Sequence, residues 1–152
     1  MKNFAAGVLL VLTLSACGLG QECTSKLQDF VNKSGYKMTV ARPCKVWIAN
    51  DILAIPQGDG LQGKLLIGEE GEMGVIGTVV QPKAKLDLSA ETLLKLMKLN
   101  NELDYAKIGI DNDGDLFVRA ELRISSLTAD DFTASLKQVI ASAKQVYEAL
   151  KK

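Results

Sequence analysis

Hydrophobic positions change spacing several times along the chain, and each change marks an element. Phe4 to Leu14 is a mostly apolar run, too short to cross a bilayer stably. Cys23, Leu27, Phe30 and Val31 then recur at helical spacing, and Gly35 stops this short amphipathic helix. From Tyr36 the period falls to two. Tyr36, Met38 and Val40 alternate with Lys37, Thr39 and Ala41; after a break at Arg42-Pro43, Cys44, Val46 and Ile48 alternate with Lys45, Trp47 and Ala49. The pattern predicts two antiparallel strands, with Cys44, Val46 and Ile48 on the second strand's main apolar face; if that face covers the first helix, Cys44 and Cys23 could meet.

Asn50-Asp51 turns the chain into Ile52 to Ile55 and the glycine-rich stretch from Gly58 to Gly63. Lys64 to Gly68 and Gly74 to Val80 read as further strands around the acidic turn Glu69-Glu70-Gly71-Glu72. Ser89 with Glu91 opens a second helix, in which Leu93, Leu94, Leu96, Met97 and Leu99 cover a wide apolar arc expected to be largely buried. A hairpin follows, with Lys107 to Ile110 and Leu116 to Ile124 as its arms. In the second arm Leu116, Val118, Ala120, Leu122 and Ile124 alternate with Phe117, Arg119, Glu121 and Arg123. Thr128, Asp130 and Asp131 then start a long helix whose apolar face runs from Phe132 through Leu136, Val139, Ile140, Ala143, Val146 and Tyr147 to Leu150. The predicted class is α+β, a single domain in the order N-terminal helix, antiparallel meander, helix, β-hairpin, long C-terminal helix.

Composition narrows the chemistry. Lys plus Arg and Asp plus Glu number 18 each, and the basic residues are scattered, so no nucleic-acid footprint is expected. Histidine is absent, which removes the commonest general base near neutral pH and the commonest metal ligand. No nucleophile elbow is present. We therefore expect no catalytic residue, no metal and no cofactor.

Two loops imitate ligand-binding motifs. Gly58-Asp59-Gly60-Leu61-Gln62-Gly63 satisfies GxGxxG, and with Lys64 it misses a Walker loop only by Leu65. Both phosphate loops need a helix to begin at once, whereas Lys64 to Ile67 reads as strand, so a turn is expected. Asp111-Asn112-Asp113-Gly114-Asp115 looks like a calcium loop, but Gly114 stands fourth and Leu122 twelfth where an EF-hand needs glycine sixth and glutamate twelfth. A hairpin turn is the expectation. Trp47 and Phe117 each fall opposite their strand's main apolar set, which makes them candidates for a partner surface, with packing under a helix or loop as the alternative.

Leu14-Ser15-Ala16-Cys17, after Lys2 and the apolar run, resembles the lipobox of bacterial lipoproteins. The resemblance implies a lipoprotein signal peptide over residues 1–16, a lipidated N-terminus and short tether at 17–21, and a domain at 22–152. It implies a diacylglyceryl group on Cys17, cleavage before it and acylation of the new amino end, including palmitate-like chains. Several chains anchor stably where one does not. The protein is then exported and held on a membrane of the cell envelope, and the residues leave inner and outer membrane both open. Removal of 16 from 152 residues leaves 136, enough for one domain with a core. With Cys17 lipidated, Cys23 and Cys44 remain as an even pair in an oxidising setting, where a disulfide is the natural reading and two buried thiols the alternative. Such a bridge would close a loop of about twenty residues, worth on the order of 3 kcal/mol.

The element order, together with Leu-Asn-Asn-Glu-Leu at 99–103, Ile-Gly-Ile-Asp-Asn-Asp-Gly-Asp-Leu at 108–116, Arg-Ala-Glu-Leu at 119–122 and the Thr-Ala-Asp-Asp-Phe helix start, resembles the YbjN-like and type III secretion chaperone-like domains. The resemblance implies a compact α+β domain, often a homodimer, that binds protein or peptide segments or has a regulatory role. It brings no catalytic residue. The expected function is a membrane-anchored, non-enzymatic binding module; an envelope small-ligand binder or a hydrolase using carboxylates such as Asp51, Asp59 or Glu69 is the alternative.

Overall fold

The computed structural model describes residues 25–151. Cys17, the tether and Cys23 lie outside the described residues. Helix α1 (Lys26–Lys33) precedes strands β1 (Thr39–Arg42), β2 (Val46–Ala49), β3 (Leu65–Glu70) and β4 (Met73–Gln81). A 3-10 turn (Lys83–Lys85) leads to α2 (Ala90–Asn100), then β5 (Ala106–Ile110), β6 (Leu116–Arg123) and α3 (Ala129–Leu150). The strands form one antiparallel sheet in the order β1-β2-β3-β4-β6-β5. The predicted fold class is the observed one. Pairing of β4 with β6, from Met73 opposite Arg123 to Gln81 opposite Leu116, joins the meander to the later hairpin.

Each helix starts where its side chains satisfy otherwise unpaired backbone amides. Ser25 accepts from the Leu27 N–H, Ser89 from the Thr92 N–H and Thr128 from the Asp131 N–H. Asp130 and Asp131 add negative charge at the positive end of α3. Gly35, at φ 79, takes the chain out of α1 through the left-handed region that favours glycine.

All three helices lie on one face of the sheet. On that face Leu65 and Ile67 of β3, Ile76 and Val80 of β4, and Leu116, Val118 and Ala120 of β6 meet Phe132, Leu136, Val139, Ala143 and Val146 of α3. Ser135 and Ser142 are buried in the same α3 stripe, where small side chains let the helix approach the sheet closely. α1 lies over the far half. Its Leu27 comes against Gly74, its Phe30 stacks on Phe132 at 5.5 Å, and the Ser25 hydroxyl donates to the Glu69 carboxylate at 2.6 Å.

Two expectations are corrected. In β2 the inward residues are Trp47 and Ala49, while Val46 and Ile48 are half-buried on the outer face. All four side chains are apolar, so a period of two does not choose the face, and a one-residue phase shift inverts it. Cys44 sets no phase because it lies in the turn before β2, where the Lys45 N–H donates to the Arg42 carbonyl at 3.1 Å. α2 is also less covered than its apolar arc implied: Leu96 is buried, but Leu93, Leu94 and Met97 are exposed. It packs on α3 and β5 along one side only.

Candidate functional site

The outer face of the sheet carries no helix among the described residues. Register places Ile48 of β2 beside Leu66 of β3, Leu66 beside Gly77 of β4, and Gly77 beside Arg119 of β6. The next rows pair Gly68 with Val75 and Val75 with Glu121, while Val79 lies beside Phe117 and Phe117 beside Gly109 of β5. Ile48, Leu66, Val75, Val79 and Phe117 are each half-buried, giving a shallow apolar surface interrupted by glycines.

Phe117 owes its posture to its neighbours. A methyl group added at Gly109 would stand 2.5 Å from the ring tip, so the absence of a side chain there lets the ring lie across β5. The Arg119 guanidinium sits over the same ring at 4.5 Å. Arg119 also pairs with Glu121 at 2.8 Å, and Lys107 reaches Glu121 at 2.8 Å from β5. The hydrogen bond from Lys107, aided by the two positive charges, holds the Glu121 carboxyl below its usual range against a partial desolvation. The apolar rows thus end in a charged rim of Lys107, Arg119 and Glu121.

The other predicted residues are dispersed. Trp47 is in the core at 1% exposure, so it contributes no partner surface in the described domain. Cys44 is half-buried and partnered, at φ 59 after Pro43, the turn position that ordinarily takes glycine. Among the carboxylates, Asp51 accepts from the Gln57 side-chain amide at 2.8 Å, Glu69 from Ser25, and Asp59 lies on the exposed tip of the glycine-rich loop. The groove lined by Asp51, Leu53, Ala54, Ile55, Gln57 and Gly63 contains neither of the others.

Both motif-like loops are turns. In the first, the Gly58 N–H donates to Gln62, the Gln62 N–H to Asp59, and Lys64 Nζ to the Gly60 carbonyl. In the second, Asp111 accepts from the Asp113 and Asp115 N–H groups while Asp115 accepts from the Lys83 N–H. The Asp111 and Asp115 carboxylates accept from backbone amides. Among the described residues no group of three or more His, Cys, Asp or Glu could hold a metal ion. No described helix is long and apolar enough to cross a membrane.

One site-forming feature escaped the sequence reading. Leu93, Leu96, Met97 and Asn100 of α2, with Ile108, Gly109 and Ile110 of β5 and Leu116 of β6, line an open apolar groove of about 280 Å³. Its signal was present in the wide apolar arc of α2, which is broader than one contact face requires.

A six-stranded antiparallel sheet with its helices on one face and a long closing helix places this chain in the fold class that includes type III secretion chaperones. A chain in the heterodimeric ExoU–SpcU complex from the type III secretion system of Pseudomonas aeruginosa matches with a TM-score of 0.57 at 13% identity, over 81% of this chain and 96% of that one. A chain in the HopA1–SchA chaperone–effector complex matches at 0.54 and 12% identity, over 80% and 90%. YbjN from E. coli, described as a putative transcription regulator, matches at 0.53 and 15% identity, over 81% and 87%. These likenesses are of fold. No curated protein matches the chain at the level of sequence. The chain belongs to the YbjN family, described as a putative bacterial sensory transduction regulator, whose family model matches residues 43–152.

Proposed function

We propose that this protein is an exported lipoprotein, anchored through Cys17, whose non-enzymatic domain binds a protein or peptide segment on the outer face of its sheet around Phe117. The observation that carries the binding reading is the apolar face formed by Ile48, Leu66, Val75, Val79 and Phe117, which no helix covers among the described residues and which is edged by the Lys107, Arg119 and Glu121 charges. Apolar centres with polar rims suit protein segments, and an aromatic held in place by its neighbours makes an economical anchor. Similar folds in solved chaperone–effector complexes support the same class of partner.

The anchor rests on Leu14 to Cys17 and the short apolar run before them. Lipidation of Cys17 leaves Cys23 as the partner for Cys44, which stands at φ 59 in the turn before β2.

Crosslinking in intact envelopes, with recovery of the tagged protein and identification of attached chains by mass spectrometry, tests the binding surface. Phe117→Ala is expected to lower recovery of the partner roughly tenfold, the effect of losing about 1.4 kcal/mol at an anchor residue. Unchanged recovery by a folded Phe117→Ala protein would reject the outer face as the site.

A further inference from the structure

We propose that the polar groove where the end of β4, the 3-10 turn and the start of α2 meet the last turn of α3 binds an anionic saccharide, a hydroxylated sugar ring carrying a carboxylate or a phosphate. Two adjoining hollows of about 470 and 260 Å³ make up this groove, and both are lined by Gln81, Lys85, Leu150 and Lys151. That size is ordinary for a small-molecule site. Neither hollow is lined by Phe117 or the apolar rows around it, so the groove stands apart from the outer sheet face.

Gln62 points to a ligand. It is 8% exposed and lines the smaller hollow beside Tyr147, yet its side-chain amide makes no hydrogen bond among the described residues. Burying a carboxamide without partners is costly, and a molecule held in the groove would supply them. The glycine-rich loop provides the seat: a methyl group added at Gly58 would stand 2.0 Å from Gln62 Oε1. The loop that copies a phosphate motif without its helix thus uses its first glycine to let Gln62 lie at the groove.

The remaining lining decides the chemistry. Lys85 borders both hollows, is exposed, and makes no ion pair among the described residues. Its backbone is fixed, because Gln81 Nε2 donates to the Lys85 carbonyl at 2.9 Å, and this leaves the Gln81 oxygen as an acceptor. Lys151 sits over the Tyr147 ring at 4.9 Å and pairs with Glu148 at 2.8 Å. In the larger hollow Glu91 pairs with Lys95 at 3.0 Å, which occupies one of its oxygens. The Lys85 ammonium and the Gln62 amide suit an anionic group. Glu91 and the Gln81 oxygen call for donors, and a bare anion has none. A sugar hydroxyl both donates and accepts, so a hydroxylated ring with one acidic group matches the mixed lining.

Saturation-transfer difference NMR on the full chain in detergent solution tests the proposal, with sodium glucuronate and glucose 6-phosphate as probes and glucose and acetate as controls. At least one anionic sugar is expected to bind, and to do so at least about tenfold more tightly than either control. The stronger of the two probes identifies the acidic group. Lys85→Gln, at an exposed and unpaired side chain, is expected to weaken that binding at least about tenfold with unchanged circular dichroism. Gly58→Ala should do the same by displacing Gln62 while leaving every charge in place; if that variant fails to fold, Lys85→Gln decides alone. Phe117→Ala should bind the sugar as the wild type does, which keeps this result distinct from that for the outer face. Absence of binding by both anionic sugars, acetate or glucose binding as tightly as they do, or sugar binding that Lys85→Gln leaves unchanged each overturns the proposal.

Discussion

Trp47 is 1% exposed, whereas Val46 and Ile48 on either side of it are half-buried. An indole buries on the order of 150–250 Å² and outweighs either aliphatic neighbour, so the choice that places Trp47 inward is the one favoured by burial. Trp47→Ala should lower unfolding free energy by about 3–5 kcal/mol, while Ile48→Ala should cost roughly 1 kcal/mol because its site is only half-covered. Urea denaturation followed by circular dichroism measures both, and a Trp47 cost no greater than that of Ile48 would contradict the assigned face. Phe117 shows the opposite outcome at the same scale. Its alternation within β6 was legible in the sequence and places it outward as expected. The sequence could not show that Gly109 stands beneath its ring, because that neighbour comes from the pairing register.

Among the elements, α3 was the most legible. Its apolar face keeps one helical period over 22 residues, and Thr128 with Asp130 and Asp131 marks its start. α2 has the same kind of signal but a different outcome. Periodicity tells which residues of a helix are apolar and is silent on whether anything covers them, and α3 and β5 cover only the Leu96 side. The β5 edge depends on contacts that no local pattern announces: Gln138 lies 33 and 32 residues from the two amides it accepts. Gln138→Ala should therefore speed hydrogen exchange at Tyr105 and Ala106 and cost about 1 kcal/mol, leaving the Ile108 amide protected by Asn100. Exchange measured residue by residue by NMR decides this, and unchanged protection at Tyr105 and Ala106 would remove Gln138 from the edge.

For the whole molecule, the proposed anchor and the fold meet at the N-terminal end of the domain. α1 is tied to the sheet by Ser25 on Glu69 and to α3 by Phe30 on Phe132, so a lipid on Cys17 would hold the domain within a few residues of the membrane surface. Intact-mass analysis of protein purified from the envelope should show cleavage before Cys17, added acyl mass on that residue, and no alkylation of Cys23 or Cys44 without prior reduction. An unmodified Cys17, or cleavage elsewhere, ends the lipoprotein reading, and alkylation of both other cysteines ends the pairing.

Leu14 to Cys17 carry the proposed location. The sequence by itself determined the order of elements, the ends of the helices and the inward set of β6, because caps, glycines and periodic spacing act between near neighbours. Only the tertiary structure decided which face of β2 is buried, that β6 lies beside β4, and that, among the described residues, α2 is left half-bare and the outer sheet face carries no helix. Each of those outcomes depends on burial shared between segments distant in the chain. Local pattern supplies apolar faces, and the competition among them for one core determines which remain available to a partner.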